Sequence, residues 1–452
     1  MKLGASSGDK EQSGRGAARR LRAKVTASIP GAAWAVLVGD ALSAVGSGLT
    51  LPFLLVYLHT VCGIPEGYAG LAVAALAGAG LIGNPLSGWL ADRAAPRTAL
   101  LLGLLTAAGG AGALACVHST WQAFAATGLM GLGAGIVWPA QDALLATVVE
   151  SSQLSTVFAV RHATLNVGVG TGAALAGLIA DLSSPVSFQL LYLLDAVTFL
   201  LFIPILLVAP GLRSRGALRP QTARCPGGGA EGLPGEGIRQ VLSDRPFRRL
   251  WLVVLLAVTA GAVQIQAAFP IYAIESGGLD AGSLARMYTV NACAVVLMQL
   301  PVMRFMKQRL RTRGLAVVCL CWAATWVLTL AGGELGSGVG AVWMFTAAMA
   351  VFALGETFLS PTAAPLVNEL ASDHLRGRYN GLYVLAWTCG SIGGPALAGL
   401  LVSGQASLLF AICIAGLLTA AGLARRLERI VPEAVNRAAP TSIHATELVP
   451  AD

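Results

Sequence analysis

Asp40, Asp142, Arg161, Asp195 and Glu356 lie within long apolar runs of a chain that is only 12% charged. An ionised acid at the centre of a bilayer-spanning helix costs roughly 2.5 to 3.5 kcal/mol on insertion scales, so it faces a partner, a water-filled cavity or a ligand. A carboxyl in that setting can exchange a proton for a cation. Asp40 stands nine residues into its run, about 14 Å deep at the helical rise, and Glu356, in FALGETFLSP, lies at similar depth. Both are expected to bind proton or substrate. Gly355 leaves space beside Glu356, and Pro361 permits a locally distorted helix beside a cavity. Asp195, Asn166 and Gln264 are further binding candidates. Gln264 and Gln266 are two apart and face different sides of one helix, so at most one points into a central cavity. Asp142 and Arg161 sit at matched depth on antiparallel runs and read as a structural ion pair. Trp138, Trp343 and Trp387 could line a cation-accepting cavity, although interface or packing roles are the preferred reading.

The elements that carry these residues follow from composition. Hydrophobic residues make up 56% of the 452 residues, and the mean hydropathy is +0.72, far from what a water-facing surface supplies. A hydrocarbon core needs about 20 apolar residues per helix. Twelve runs qualify: 31–58, 68–91, 98–117, 121–148, 155–180, 187–210, 249–274, 283–306, 314–333, 340–366, 377–402 and 406–424. The fold class expected is therefore an all-α polytopic membrane protein of twelve transmembrane helices in two pseudo-symmetric six-helix bundles.

The basic residues orient it. With an even number of spans and the start inside, Arg286 alone among 30 Lys and Arg falls on the outer side. Both termini are then cytoplasmic, and the net charge of +8 reflects topology and contact with anionic lipid, not nucleic acid. The Arg-rich start reads as a tail before a retained first helix and not as a cleaved leader. Its few Lys and many Arg suggest a GC-rich bacterial genome, hence a bacterial inner membrane. Eight Cys without a CxxC pair read as free thiols. No metal, cofactor or enzymatic activity is expected. An ATP-driven pump fails for want of a GxxxxGK[ST] loop, and a lipid-linked transferase for want of acidic, metal-holding loop clusters.

Expected organisation is a basic tail (1–29), a six-helix bundle (30–211), a Pro-, Gly- and Arg-rich cytoplasmic loop (212–248), a second bundle (249–425) and a cytoplasmic tail (426–452). An internal repeat supports the two halves. GVGTGAALAGLI at 168–179 aligns with GSIGGPALAGLL at 390–401 at an offset of 222 residues, and WPAQDA at 138–143 aligns with SPTAAP at the same offset. NPLSGWLADRAAPR, ending span two, has a counterpart ending span eight in which Gln308 stands for Asp92.

GWLADRAAPR resembles the loop between helices two and three of the major facilitator superfamily, G-x-L-A-D-R-x-G-R-K. Gly88, Leu90, Ala91, Asp92, Arg93 and Arg97 match it, whereas Ala95 replaces a Gly and Pro96 a basic residue. Span five is similar to that superfamily's antiporter pattern G-x-x-x-G-P-x-x-G-G through Gly168, Gly172 and Gly177, with Ala173 and Ala176 departing. Span eleven fits better, through Gly390, Gly394, Pro395 and Gly399. The resemblance implies the major facilitator fold and a gate in which Asp92, with Gly88, Arg93 and Arg97, meets the start of span eleven near Arg378 and Asn380. It also implies that the glycines seal or hinge the halves. An Arg that many drug:proton antiporters carry in helix four is Thr127 here, so a coupling scheme built on that Arg does not carry over. The function expected is proton-coupled export of a hydrophobic or cationic small molecule by a monomer whose partners are substrate, protons and membrane lipid. The alternative is a proton symporter or facilitator for a nutrient such as a sugar or amino acid.

Overall fold

The computed structural model describes residues 29–209, 236–307, 309–372 and 375–437. Residues 1–28, most of the expected 212–248 loop, Gln308 and the last part of the C-terminal tail lie outside the described residues. Among the described residues, ten helices are long and apolar enough to cross a membrane. Eight of them are α1 (Gly31–Val61), α2 (Glu66–Ala94), α3 (Pro96–Leu114), α4 (Thr120–Val148), α5 (Ser151–Ile179), α6 (Pro185–Val208), α8 (Ala281–Met306) and α9 (Arg311–Glu334). The remaining two are α10 (Val339–Leu370) and α11 (Arg376–Leu427). Between α6 and α8 stands α7 (Arg245–Ala257), continued by a π turn at Val258–Ala262, an irregular stretch and a helix at Ala268–Glu275.

Ten rather than twelve has two causes. Span seven is broken, so no single helix there has the length to cross. Spans eleven and twelve merge into α11, whose 52 residues would extend about 78 Å if straight. The backbone leaves helical geometry at Gln405 (φ −142°, ψ 44°), inside the gap expected at 403–405. Ser403 N–H donates to Glu66 Oε1 at the start of α2 (3.0 Å), while Glu428 pairs with Arg313 at the start of α9 (2.6 Å). The chain therefore runs out along 376–404 and back along 406–427.

Other departures are local. α5 begins at Ser151, four residues before the expected 155. The loop expected at 212–248 contains a helix at Glu236–Ser243 and the first turn of α7. The expected tail begins as structure, because the helix Glu433–Asn436 caps α9. Asn436 Oδ1 accepts from Thr312 N (3.0 Å) and its Nδ2 donates to Thr312 Oγ1 (2.9 Å), satisfying a helix-start donor. Asp280 does the same for α8 through Ser283 N (3.0 Å), and the hydrogen bonds from Ser283 hold its carboxyl below the ordinary range. The seven described cysteines are free.

Packing repeats between the halves. Gly168 and Gly172 let α5 lie on α1: a Cβ on Gly168 would come 2.7 Å from Ala44 Cβ, and one on Gly172 would come 2.9 Å from Gly48 Cα. Gly390 and Gly394 seat α11 on span seven in the same way, against Val258 (2.6 Å) and Val263 (2.8 Å). The third glycine of each series faces the other half. Gly177 abuts Ala285 of α8, and Gly399 lies so near α2 that a Cβ would be 2.8 Å from Gly70 Cα and from the Glu66 carbonyl. Close backbone approach of this kind is how small residues join helices in lipid. The sealing role expected of these glycines divides, therefore: two of each series hold a half together and one joins the halves.

The halves meet at the ends opposite most of the basic residues. Besides the glycine seams, His59 Nε2 lies 3.7 Å from Glu275 Oε1, Glu66 accepts from Ser403, and Phe53 meets Tyr288 (ring centroids 6.5 Å).

Candidate transport site

One face of α4 presents Trp138, Gln141 and Asp142, spaced i, i+3, i+4 and so adjacent on the helix surface. Arg161 of α5 reaches them and also Asp40 of α1. Its Nε donates to Asp40 Oδ2 (2.7 Å), its Nη2 to Gln141 Oε1 (2.5 Å) and its Nη1 to Asp142 Oδ1. The guanidinium carbon lies 4.9 Å from the Trp138 ring centroid, a cation–π contact. Arg161 and Asp40 are buried, whereas the Asp142 side chain is 50% exposed. Two carboxyls share one guanidinium, so the cluster carries one net negative charge when both are ionised, with Asp142 on its open side beside a half-exposed indole.

The expected Asp142–Arg161 ion pair is present, as part of a larger cluster. Asp40 joins it and is no isolated midplane acid. The signal was the depth argument itself. With α5 beginning at Ser151, Arg161 lies ten residues in, level with Asp40 nine residues into α1; a start at 155 set Arg161 too shallow to meet it. Thr127 is buried and its hydroxyl donates to Ala123 O (2.8 Å) within α4. The cation that meets Asp40 comes from α5.

Glu356 is half-buried on α10 and lies beside the side-chain amide of Asn291 of α8. Gly355 makes room for Trp322 and not for the carboxyl: a Cβ there would lie 2.8 Å from the indole nitrogen. The distortion expected near Pro361 is a turn over 360–362, where Thr362 Oγ1 donates to the freed Phe358 carbonyl (2.7 Å).

The other candidates are not brought to either cluster. Asp195 is fully buried between α6 and α1; Thr50 donates to its Oδ2 (2.8 Å), and Oδ1 is buried without a partner. Gln264 is buried at the break in span seven, where its amide donates to Thr259 O and Gly394 O (both 3.0 Å). It satisfies the carbonyl that the π turn releases and ties span seven to α11; Gln266 is the exposed member of that pair. Asn166 is half-buried on α5. Trp343 is exposed and Trp387 half-buried.

The α2–α3 turn differs from expectation too. Asp92 and Arg378 are both exposed, and no ion pair joins them among the described residues. Gly88 has open space around it. Arg93 lies over Trp89 (4.4 Å). Arg97 donates to the Leu206 carbonyl (3.1 Å) at the end of α6, a cation on helix-end acceptors. Ala95 adopts φ 81°, ψ 149°, and it is the only positive-φ residue other than Gly among the described residues. That region is essentially reserved for glycine, which is what the resembled loop pattern places there.

Two sets of apolar helices, joined along glycine seams at one end and holding ionised groups inside, define a multi-pass membrane transporter. The chain belongs to the Major Facilitator Superfamily, whose family model matches residues 36–339 and 287–448. It is 26% identical over 396 residues to a Na(+), Li(+), K(+)/H(+) antiporter of Planococcus maritimus, covering 79% of this chain and 87% of that protein. It is 25% identical over 306 residues to the multidrug resistance protein MdtH of Salmonella paratyphi B, covering 67% and 69%. A crystal structure of the nucleoside transporter NupG matches with a TM-score of 0.72 at 12% identity, covering 88% of this chain and 99% of that one. That likeness is one of fold.

Proposed function

We propose that this chain is a proton-coupled exporter of hydrophobic or cationic small molecules. It works as a monomer in the bacterial plasma membrane, with both termini cytoplasmic and two six-helix bundles rocking about a site between them. The observation that carries this reading is the Asp40–Arg161–Asp142 cluster. Its net negative charge and the exposed Asp142 carboxylate beside Trp138 suit an organic cation arriving from the basic, inner end. Glu356, on the other half, supplies a second carboxyl that can hold a proton when no cation is near. A cation drawn into the site displaces that proton, and a proton taken up from outside restores it. An antiporter and a multidrug resistance protein among the relatives agree with exchange and export.

Inside-out proteoliposomes with an acidic lumen test this, with ethidium as the cation. The parent should accumulate dye, and Glu356→Gln should reach the membrane at parental levels yet lose pH-driven accumulation. Undiminished accumulation in that variant would remove Glu356 from coupling. If no cation in a broad panel moves, and uptake of a sugar or amino acid instead collapses with an uncoupler, the nutrient symporter replaces the exporter.

A further inference from the structure

At the basic end of the C-terminal half, the close of α8 and the start of α9 line an open cavity of about 580 Å³. Five of its lining residues are cations, Arg304, Lys307, Arg309, Arg313 and Arg437, and none is an acid. Two of the five are neutralised from outside the cavity, Arg313 by Glu428 and Arg437 by Glu433 (2.6 Å each). Arg309 lies over the Phe305 ring (4.1 Å). Arg304 and Lys307 are exposed and make no ion pair among the described residues. Among the described residues the cavity thus keeps three positive charges without an ion-pair partner.

A second cavity, about 640 Å³, shares Phe305, Arg309 and Arg313 with the first. It descends between α9, α10 and the returning limb of α11, along Leu320, Phe358, Leu418 and Gly422. From Arg313 to Leu320, and from Arg425 back to Leu418, each wall runs about 10 Å along its helix. The groove is therefore apolar at membrane depth and basic at its mouth.

We propose that these joined cavities bind one anionic phospholipid of the inner leaflet, its phosphate on Arg304 and Lys307 and an acyl chain in the groove. A soluble phosphate would fill the upper cavity and leave the groove without purpose, and an apolar helix of a partner would bury the three charges unpaired. An amphiphile with a negative head satisfies both parts, and basic pockets between helices at the cytoplasmic face suit such headgroups. The bound lipid bridges the α8–α9 turn to the end of α11, two elements otherwise linked there through Arg313 and Glu428.

Native mass spectrometry of the full chain in maltoside detergent tests this, with dioleoylphosphatidylglycerol and dioleoylphosphatidylcholine as probes. The parent should retain the phosphatidylglycerol at least tenfold more than the phosphatidylcholine. Arg304→Gln with Lys307→Gln should bring the two lipids level, Gly422→Trp should block the groove and cut retention at least fivefold, and millimolar inorganic phosphate should displace neither lipid. All altered positions are exposed, and gel filtration verifies that each variant is folded. Equal retention of both lipids by the parent, or retention unchanged in both variants, overturns the proposal. Displacement by phosphate together with normal retention in Gly422→Trp reassigns the upper cavity to a soluble anion and overturns it as well.

Discussion

The two halves repeat their packing but not their charges. Gly168 and Gly172 seat α5 on α1 as Gly390 and Gly394 seat α11 on span seven. At that same offset, however, Arg161 corresponds to Tyr383, Asp142 to Ala364, Gln141 to Ala363 and Trp138 to Ser360. The N-terminal half holds an ion cluster where the C-terminal half holds neutral side chains, and the half-buried acid of the latter, Glu356, stands elsewhere on α10. A symmetric scaffold therefore carries asymmetric chemistry: one half has a built-in cation that pairs with two of its acids, and the other leaves Glu356 beside an amide.

If that contrast is sound, truncating Arg161 should be the most damaging change. Arg161→Ala strands two carboxylates and is expected to destabilise by about 3 to 5 kcal/mol, read as a large drop in melting temperature in detergent and in membrane yield. Tyr383→Ala, at the equivalent position, should cost far less, and equal losses would erase the distinction. Next comes the seam. Gly399→Leu must push α2 and α11 apart and is expected to cost about 1 to 3 kcal/mol and to arrest transport, whereas Gly404→Leu, with nothing within 4 Å of its Cβ position, should leave both unchanged.

A smaller effect, of opposite sign, is expected in the α2–α3 turn. Ala95→Gly relieves a backbone conformation worth about 1 to 3 kcal/mol of strain, offset by the extra freedom of glycine in the unfolded chain. A net rise of a few degrees in melting temperature should follow, and a fall would mean that Ala95 is not strained. The smallest change concerns Asp92, which we propose closes on the start of α11 in the opposite state. There a carboxylate near a helix N-terminus contributes roughly 0.3 to 1 kcal/mol. Asp92→Asn should leave stability intact and reduce disulfide cross-linking between cysteines placed at the inner ends of α2 and α11. Unchanged cross-linking would deny Asp92 that part.

Much of this was legible beforehand because spacing and hydropathy act locally. The reversal at Gln405 falls in a three-residue gap between apolar runs, and the glycine series announced the seams. What stayed hidden depended on where helices begin or break. Ser151 to Leu154 are short of the hydropathy of a span, so α5 read four residues late and Arg161 missed Asp40. Gln264 looked like a cavity amide because no local signal announces a π turn; its carbonyl acceptors exist only once span seven breaks. The Asn436 cap on α9 lies 124 residues from Thr312, a separation over which no periodicity speaks.

The Gly70–Gly399 contact sets how the two halves can move. Interlocked side chains must leave one set of rotamers and find another before packed helices can slide, which makes such interfaces jump between discrete states. Where main chain rests on main chain there are no rotamers to exchange. At the Gly70–Gly399 point α2 can therefore turn on α11 without a change of rotamer, beside the polar contacts of His59, Glu66, Glu275 and Ser403. Separating the halves at that end must therefore break those polar contacts and also part the Phe53 and Tyr288 rings.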